Sequence, residues 1–527
     1  VVRGISHKMK KVRINGWLLI LMSGILSVLA FPPLRLGFLA FFALVPLIKT
    51  FCDDEFHLGF EKGLIYGIVL NLGIMYWLAL NKGTDWYWAT LSMLSSVLFL
   101  ALNYAVIGLS IGFIGRRLGR KVGIWSFPIV WTAVEYLRTF GTLGFTWNNL
   151  CYTQTQAIQL IQSAALVGSY GISAWIVVIN VLIFRLLENI GDYRQVSKRV
   201  AVILTLFLIP AVYGGIVLKT SSHKNDRRSV SVGLIQPNVD PNAKWDQDFF
   251  KSNMQLLHDL TDSVAVRPID LVVWPETATP TFLRRNYRGA LDRIREHITT
   301  LDVNLLTGVP DFDGHPDPGY RYYNAAFLLR PNSDEIEDYR KIQLVPFGEY
   351  IPLSHFFPEL NNLNLGQGNF EAGSDMKVFH IPLKTDRQTA CDTVLTFNAV
   401  VCYESTFPAL VRQAARLGSE LLVIVSNDAW FGNASAPFLH AEIARFRAIE
   451  NHIPVVRSAN TGVSLILDQY GRNVQYLAFG RAGWLSATLS QGQPTTIFVK
   501  YGNWPAGLCV IMALLLLGYS MIKRRKA

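Results

Sequence analysis

Long charge-free apolar runs dominate roughly the first 220 residues, mixed sequence fills the next 280 or so, and one apolar run returns near the end. A bilayer core of about 30 Å needs about 20 apolar residues per helix. At that length the chain offers eight candidate spans, residues 16–32, 36–51, 58–80, 88–114, 123–140, 162–187, 199–218 and 503–522. The second is short and follows the tight Phe31-Pro32-Pro33 turn, and the fifth carries Glu135 and Arg138. Between the seventh and eighth spans the pattern changes. Runs at 229–235, 269–274, 303–308, 323–329, 396–402, 420–426, 454–458 and 463–467 are short, rich in β-branched residues and bounded by turn residues. They predict strands, several buried on both faces. Stretches 246–265, 286–300 and 436–451 have amphipathic helical spacing. The alternation predicts an α/β domain with helix-covered sheets.

Composition agrees with a membrane class: the 527 residues are 51% hydrophobic with a mean hydropathy of +0.27, above the soluble range. Lys and Arg concentrate in cytoplasmic loops. With eight crossings, the basic amino terminus (Arg3 to Arg13), the Arg116–Lys121 loop, the Arg194–Arg199 loop and the tail Lys523–Lys526 fall on one side. Both termini are therefore expected in the cytoplasm and the large polar region outside it. The first span has a basic flank but runs into the second without a small-residue cleavage pattern, so it is expected to remain as a helix. Net charge is +11, yet residues 220–503 hold 26 Lys and Arg against 30 Asp and Glu. The basic excess belongs to the membrane part, where anionic lipid attracts it, so nucleic acid is not an expected partner.

Five cysteines are too few for a disulfide framework. Cys391 and Cys402 share the polar region, as a disulfide of an oxidising compartment or with Cys402 as a reactive thiol. No Cys or His pair has metal-ligand spacing, so neither a metal nor another cofactor is expected.

Candidate chemistry sits in three short runs: Trp274-Pro275-Glu276, Lys341 within YRKIQLVPFGEY (339–350), and Cys402-Tyr403-Glu404. Singly, each has a plain reading as a loop glutamate, a surface lysine and a small core thiol ending a strand. Together they offer a base beside apolar walls, a nucleophile active as thiolate and an ammonium for an oxyanion, aided by the Tyr403 N–H. Glu349, eight residues after Lys341, is a second carboxylate that could orient it or handle a second proton.

The order WPE, KxxLVPFGE, CYE resembles the nitrilase superfamily, whose Glu-Lys-Cys triad attacks carbonyl or nitrile carbon through a covalent adduct. With eight spans and the polar domain before the last, nearly the whole chain resembles the apolipoprotein N-acyltransferases of bacterial inner membranes. LIQPNVDPNAKWD (234–246), SNDAWFG (426–432), ARFRAIENHIPVVRSANTG (444–462) and WTAVEYLRTFGTLGFTW (131–147) carry the same resemblance.

The resemblance implies a multi-pass α-helical membrane domain of about eight transmembrane helices with an inserted α/β nitrilase-like αββα sandwich. Its parts would be residues 1–219, a catalytic domain at 220–502 facing the periplasm, and a final span with basic tail at 503–527. It implies Cys402 as acyl-accepting nucleophile, Glu276 as general base and Lys341 as oxyanion-stabilising amine. Glu349, Tyr403, Glu404 and Asn238 would support the site, and Trp245 and Trp430 would line the lipid entrance. The implied partners are a phospholipid acyl donor and a diacylglyceryl-apolipoprotein acceptor, with the chain acting as a monomer and no cofactor. Thr146 and Cys151 in the membrane motif and Leu439 before His440 depart from the family pattern without touching the triad. A membrane-tethered amidase acting on a small substrate is the alternative.

Phe145, Trp147, Trp86 and Trp88 fall at the outer ends of spans, as an aromatic belt or as lipid contacts. Glu135 and Arg138 lie three apart near one such end, as an ion pair or a functional site.

Overall fold

The computed structural model describes residues 15–53, 59–221, 228–243, 247–285, 287–314, 321–352, 369–384 and 394–523. Helical segments occur at all eight expected positions. Five are long and apolar enough to cross a membrane: Gly59–Leu80, Trp86–Leu118, Ala164–Glu188, Tyr193–Ser221 and Trp504–Ile522. The other three expected spans are shorter or more polar than this among the described residues. Gly16–Ala30 has 15 residues, about 22 Å at 1.5 Å per residue. The second segment breaks into a 3₁₀ turn and two short helices across 37–53. Arg120–Leu137 carries Arg120, Lys121 and Glu135 along 18 residues.

Helices Gly59–Met75 and Trp86–Leu118 cross backbone to backbone because glycines line the contact. A methyl group on Gly63 would lie 2.1 Å from the Tyr104 carbonyl oxygen, and Gly59 and Gly108 meet in the same way. Small residues four apart are the usual means of close helix approach in lipid, where packing rather than water drives association.

The sandwich domain has two six-stranded sheets. The first contains β1 (Ser229–Gln236), β2 (Leu271–Trp274), β3 (Asn304–Asp313), β4 (Arg321–Leu329) and β5 (Ile336–Arg340). The second contains β6 (Phe379–Pro382), β7 (Val394–Val401), β8 (Leu421–Ser426), β9 (Val455–Ala459), β10 (Ser464–Leu467) and β11 (Asn473–Leu477); β12 (Gly483–Ser490) returns to the first. Their orders are β12-β1-β2-β3-β4-β5 and β11-β10-β9-β8-β7-β6. In each, three neighbouring strands run parallel, β1-β2-β3 and β7-β8-β9. Alternation along β2 separates two cores. Leu271 and Val273 face the second sheet, meeting a cluster that holds Phe397, Ala399 and Val423. Val272 and Trp274 face outward, toward Leu257 of helix Gln247–Ala265 and Ile294 of helix Ala290–Leu301. Helices Pro408–Arg416 and Ser435–Asn451 cover the second sheet through Val411, Ala414, Ala444 and Ala448. This is an αββα sandwich.

All eight expected strands form, with one change of consequence: Cys402 lies just beyond β7 rather than inside it. Strands β5, β6, β11 and β12 were not anticipated; β5 (IEDYR) and β11 (NVQYL) are polar edge strands that bury little. The sandwich sits on the helices through buried polar contacts. The Ser169 N–H donates to Glu450 Oε1 at 2.7 Å, the Tyr403 hydroxyl to the Gly144 carbonyl at 2.8 Å, and Thr146 Oγ1 to Thr406 Oγ1 at 2.7 Å. Glu135 and Arg138 form a buried pair at 3.9 Å, and Glu135 also accepts the Leu150 N–H.

Gly63→Val tests the close crossing. Its side chain meets backbone that cannot yield, so it is expected to destabilise the detergent-solubilised chain by about 1–3 kcal/mol, read as a lower midpoint of thermal unfolding. An unchanged midpoint would refute the contact.

Candidate active site

Three strand ends converge. Trp274 ends β2, so Pro275 and Glu276 cross the sheet edge, and the approach to β3 is so tight that a methyl group on Gly308 would lie 2.5 Å from Glu276 Cα. Lys341 follows β5, its N–H held by the Asn324 carbonyl at 2.8 Å. Cys402 follows β7 with φ 53° and opens a 3₁₀ turn through Thr406. A left-handed conformation costs a non-glycine residue of order 1–3 kcal/mol and persists only where its surroundings enforce it.

Glu404 is part of that enforcement. Its Oε2 accepts the Val401 N–H at 2.7 Å, and its Oε1 accepts the Tyr339 hydroxyl at 2.7 Å and the N–H groups of Ile342 and Gln343 at 2.7 and 3.1 Å. One carboxylate thus ties the Cys402 turn to the Lys341 segment across the two sheets. It is fully buried and lies outside the cavity lining.

Lys341 Nζ donates to Glu349 Oε1 at 2.8 Å and lies 3.8 Å from Glu276 Oε1. Asn324 Nδ2 donates to both carboxylates, at 2.7 and 2.9 Å, and the Val345 N–H donates to Glu349 Oε2 at 2.8 Å. Burial works to lower the Lys341 pKa, but Glu349 and then Glu276 override it and raise the ammonium above its ordinary value. Burial and then Glu276 push the Cys402 thiol well up, against the opposing pull of Lys341. At rest the site holds a protonated thiol and a firmly charged ammonium.

These groups open onto a cavity of about 310 Å³. Glu276, Lys341, Glu349, Cys402, Tyr403 and Trp430 line one part, and Met75, Trp77, Ala89, Ser92, Ser96 and Phe99 of the apolar helices line the other. Thiol chemistry therefore opens directly onto a lipid-like wall.

The family model of the apolipoprotein N-acyltransferase N-terminal domain matches residues 23–182, and that of carbon-nitrogen hydrolases matches residues 231–493. The chain is 34% identical to the apolipoprotein N-acyltransferase of Geobacter metallireducens, over 94% of its own length and 93% of that protein's. It belongs to the apolipoprotein N-acyltransferase family. The Chlorobaculum tepidum apolipoprotein N-acyltransferase is 28% identical over 96% of each chain. An amidase from Nesterenkonia sp. superposes with a TM-score of 0.37 at 18% identity, covering 52% of this chain and 96% of its own. The chain is thus a membrane acyltransferase that N-acylates apolipoproteins in lipoprotein maturation, with lipid and lipoprotein substrates.

Within this acyltransferase, the remaining expected residues separate. The Trp430 carbonyl accepts the Lys82 N–H at 2.9 Å, joining the sandwich to the turn before helix Trp86–Leu118. The Tyr403 ring lies near Phe145, Trp147 and Phe407. Asn238 is not brought to the cavity: its N–H donates to the Asn460 carbonyl and its side chain to the Gly480 carbonyl. Trp245 and Cys391 lie outside the described residues, and Cys402 is a free thiol.

Asn324, Asp428, His440 and Arg457 went unrecognised as site residues in the sequence. Asp428 lies in the quoted SNDAWFG run, directly beyond β8, and that position was the available signal. Donor atoms of Cys402, Asp428 and His440 all lie within 4.8 Å of one another, a metal-like grouping that ligand spacing did not reveal. Both His440 ring nitrogens and the Asp428 carboxylate are engaged within the protein.

The raised thiol pKa gives a test with a definite sign. Resting Cys402 is protonated at neutral pH, so its alkylation by iodoacetamide is expected to accelerate about tenfold per pH unit from pH 7 to 9 without a plateau. Lys341→Met removes the charge that lowers the thiol pKa and is expected to slow alkylation at pH 8. A plateau below pH 8, or faster alkylation in the variant, would contradict these electrostatics.

Proposed function

We propose that acyl transfer runs through a thioester on Cys402, in two half-reactions at one site. The observation that carries this reading is the convergence of Glu276, Lys341 and Cys402 on a cavity shared with apolar helices. In the first half-reaction Glu276 takes the Sγ proton and the thiolate attacks the ester carbonyl carbon of a phospholipid. Lys341 and the Tyr403 N–H stabilise the oxyanion. Collapse breaks the ester C–O bond, Glu276 returns its proton to the leaving alkoxide, and lysophospholipid departs. In the second, the free α-amino group of a diacylglyceryl-cysteine attacks the thioester carbonyl. Glu276 accepts the amine proton, the C–S bond breaks, and Cys402 recovers the proton while the amide remains on the lipoprotein. Glu349 keeps Lys341 charged and in place throughout.

The ester of a phospholipid lies at the bilayer interface, and lifting its chain into water costs about 0.8 kcal/mol per CH₂. A cavity walled by Ala89, Ser92 and Phe99 removes that requirement. The charge pattern supports a topology of eight crossings, including the three segments shorter or more polar than a standard span. Both termini would be cytoplasmic, with residues 220–502 a periplasmic catalytic domain between 1–219 and 503–527. The chain would act as a monomer in the bacterial inner membrane, with no role for nucleic acid.

Incubation of the purified chain with labelled phospholipid should leave a hydroxylamine-labile acyl group on Cys402, located by mass spectrometry. Addition of a diacylated lipopeptide should then move the label to the peptide amine. Cys402→Ala should abolish both, a loss of about 10⁴-fold or more. Acyl transfer surviving in Cys402→Ala, or label confined to another residue, would overturn the mechanism. Hydrolysis of a small amide without lipid would point to the amidase alternative.

A further inference from the structure

Beside the Cys402 turn, reaching the wall of the same cavity through Asp428 and His440, lies a buried polar cluster that the two half-reactions leave unused. Asp428, just beyond β8, pairs with Arg457 of β9 and accepts from Ser426 Oγ at 3.2 Å. Its Oδ1 also lies 2.9 Å from His440 Nδ1. His440, on helix Ser435–Asn451, is 1% exposed, and its ring packs against Trp147 with centroids 5.0 Å apart. On its other edge, Nε2 lies 3.0 Å from the Cys402 carbonyl oxygen and 3.0 Å from Ser405 Oγ. Ser405 Oγ itself donates to the same carbonyl at 2.8 Å.

Hydrogen-bond roles follow from chemistry. A carbonyl only accepts, so Nε2 carries a proton. Burial, and then the Arg457 guanidinium, hold the ring below the usual imidazole range. On its opposite edge Nδ1 sits between the Asp428 carboxylate oxygen, 2.9 Å away, and Arg457 Nη2, 3.2 Å away. Asp428 is held ionised, at about 2, by Arg457 and His440 against the effect of burial. The cluster holds the imidazole between the Asp428 carboxylate and the backbone carbonyl of the candidate nucleophile.

That backbone requires holding. Cys402 has φ 53° with a Cβ attached, a conformation a relaxed chain leaves. Glu404 secures the preceding residue through the Val401 N–H; His440 and Ser405 secure the Cys402 carbonyl.

Resting on the thioester reading above, we propose that His440, oriented by Asp428 and Arg457, is a positioning residue for acylation. Its Nε2–H fixes the Cys402 carbonyl and with it the left-handed turn that presents Sγ beside Glu276 and Lys341. His440 takes no proton from substrate. Its effect falls on the chemical step rather than on lipid binding.

The test compares His440→Ala and His440→Gln with the parent, as full-length chains in detergent, using a fluorescent phospholipid donor and a diacylated lipopeptide acceptor. His440→Ala is expected to lower kcat about 100-fold, with the phospholipid KM within about twofold of the parent. Gln places an amide N–H near the same carbonyl, and His440→Gln is expected to recover at least about tenfold of the loss. Equal losses in the two variants, or a rise in KM with kcat unchanged, would overturn the proposal. Should His440→Ala fail to fold, Ser405→Ala removes the other side-chain donor to that carbonyl, and an unchanged kcat there would count against it. Intact-protein mass separates the two levels: slow but complete acylation of Cys402 in His440→Ala supports positioning, whereas no acyl group on Cys402 in the parent refutes the thioester reading itself.

Discussion

A buried ammonium organises this molecule. Lys341 is 1% exposed, and a cation withdrawn from water persists only when carboxylates and hydrogen bonds replace its hydration. Glu349 at 2.8 Å and Glu276 at 3.8 Å supply the charge, and Asn324 spaces the two carboxylates by donating to both. The loop after β2, the loop after β5 and the 345–349 segment are thereby drawn to one point. The Cys402 turn is tied to the same place by Glu404. The electrostatics follow from this arrangement, since Glu276, one of the two carboxylates that keep Lys341 charged, also disfavours a resting thiolate at Cys402.

The sandwich supplies rigidity and the helices supply the substrate's solvent. β2 and β7 reach the same edge because both lie among the parallel strands of their sheets, so Glu276 and Cys402 emerge at carboxyl ends that face each other. On the other side of the cavity, glycine-lined packing of Gly59–Met75 against Trp86–Leu118 places Met75, Trp77 and Phe99 opposite the thiol. The buried bonds of Tyr403, Thr406 and Glu450 to the membrane part leave little room for the sandwich to drift from that wall.

Several departures from the family pattern acquire a physical context. The Thr146 hydroxyl donates to Thr406, at the end of the Cys402 turn. Cys151 is fully buried, its N–H donating to Ser173 Oγ. Leu439 is buried within the membrane-side core, next to the histidine that faces Cys402. All three belong to the seam between helices and sandwich.

Much of this was legible in the chain. Buried strands announce themselves through β-branched runs such as LVVW and LLVIVS, since burial on both faces leaves no polar positions, and WPE, KxxLVPFGE and CYE name the three reactive groups. Edge strands such as IEDYR bury too little to leave a pattern. Apolar length in the sequence does not register a broken helix at 37–53 or the buried Glu135. By itself the sequence determined the class, the eight buried strands and the three candidate reactive groups, because periodicity and residue chemistry are local properties. Tertiary structure decided which carboxylate touches Lys341, that Asn238 lies away from the cavity, and that Asp428, His440 and Arg457 gather beside Cys402. Those relations join residues far apart in the chain, Glu276 and Lys341 from one sheet and Cys402, Asp428 and Arg457 from the other, and proximity in space leaves no local trace in sequence.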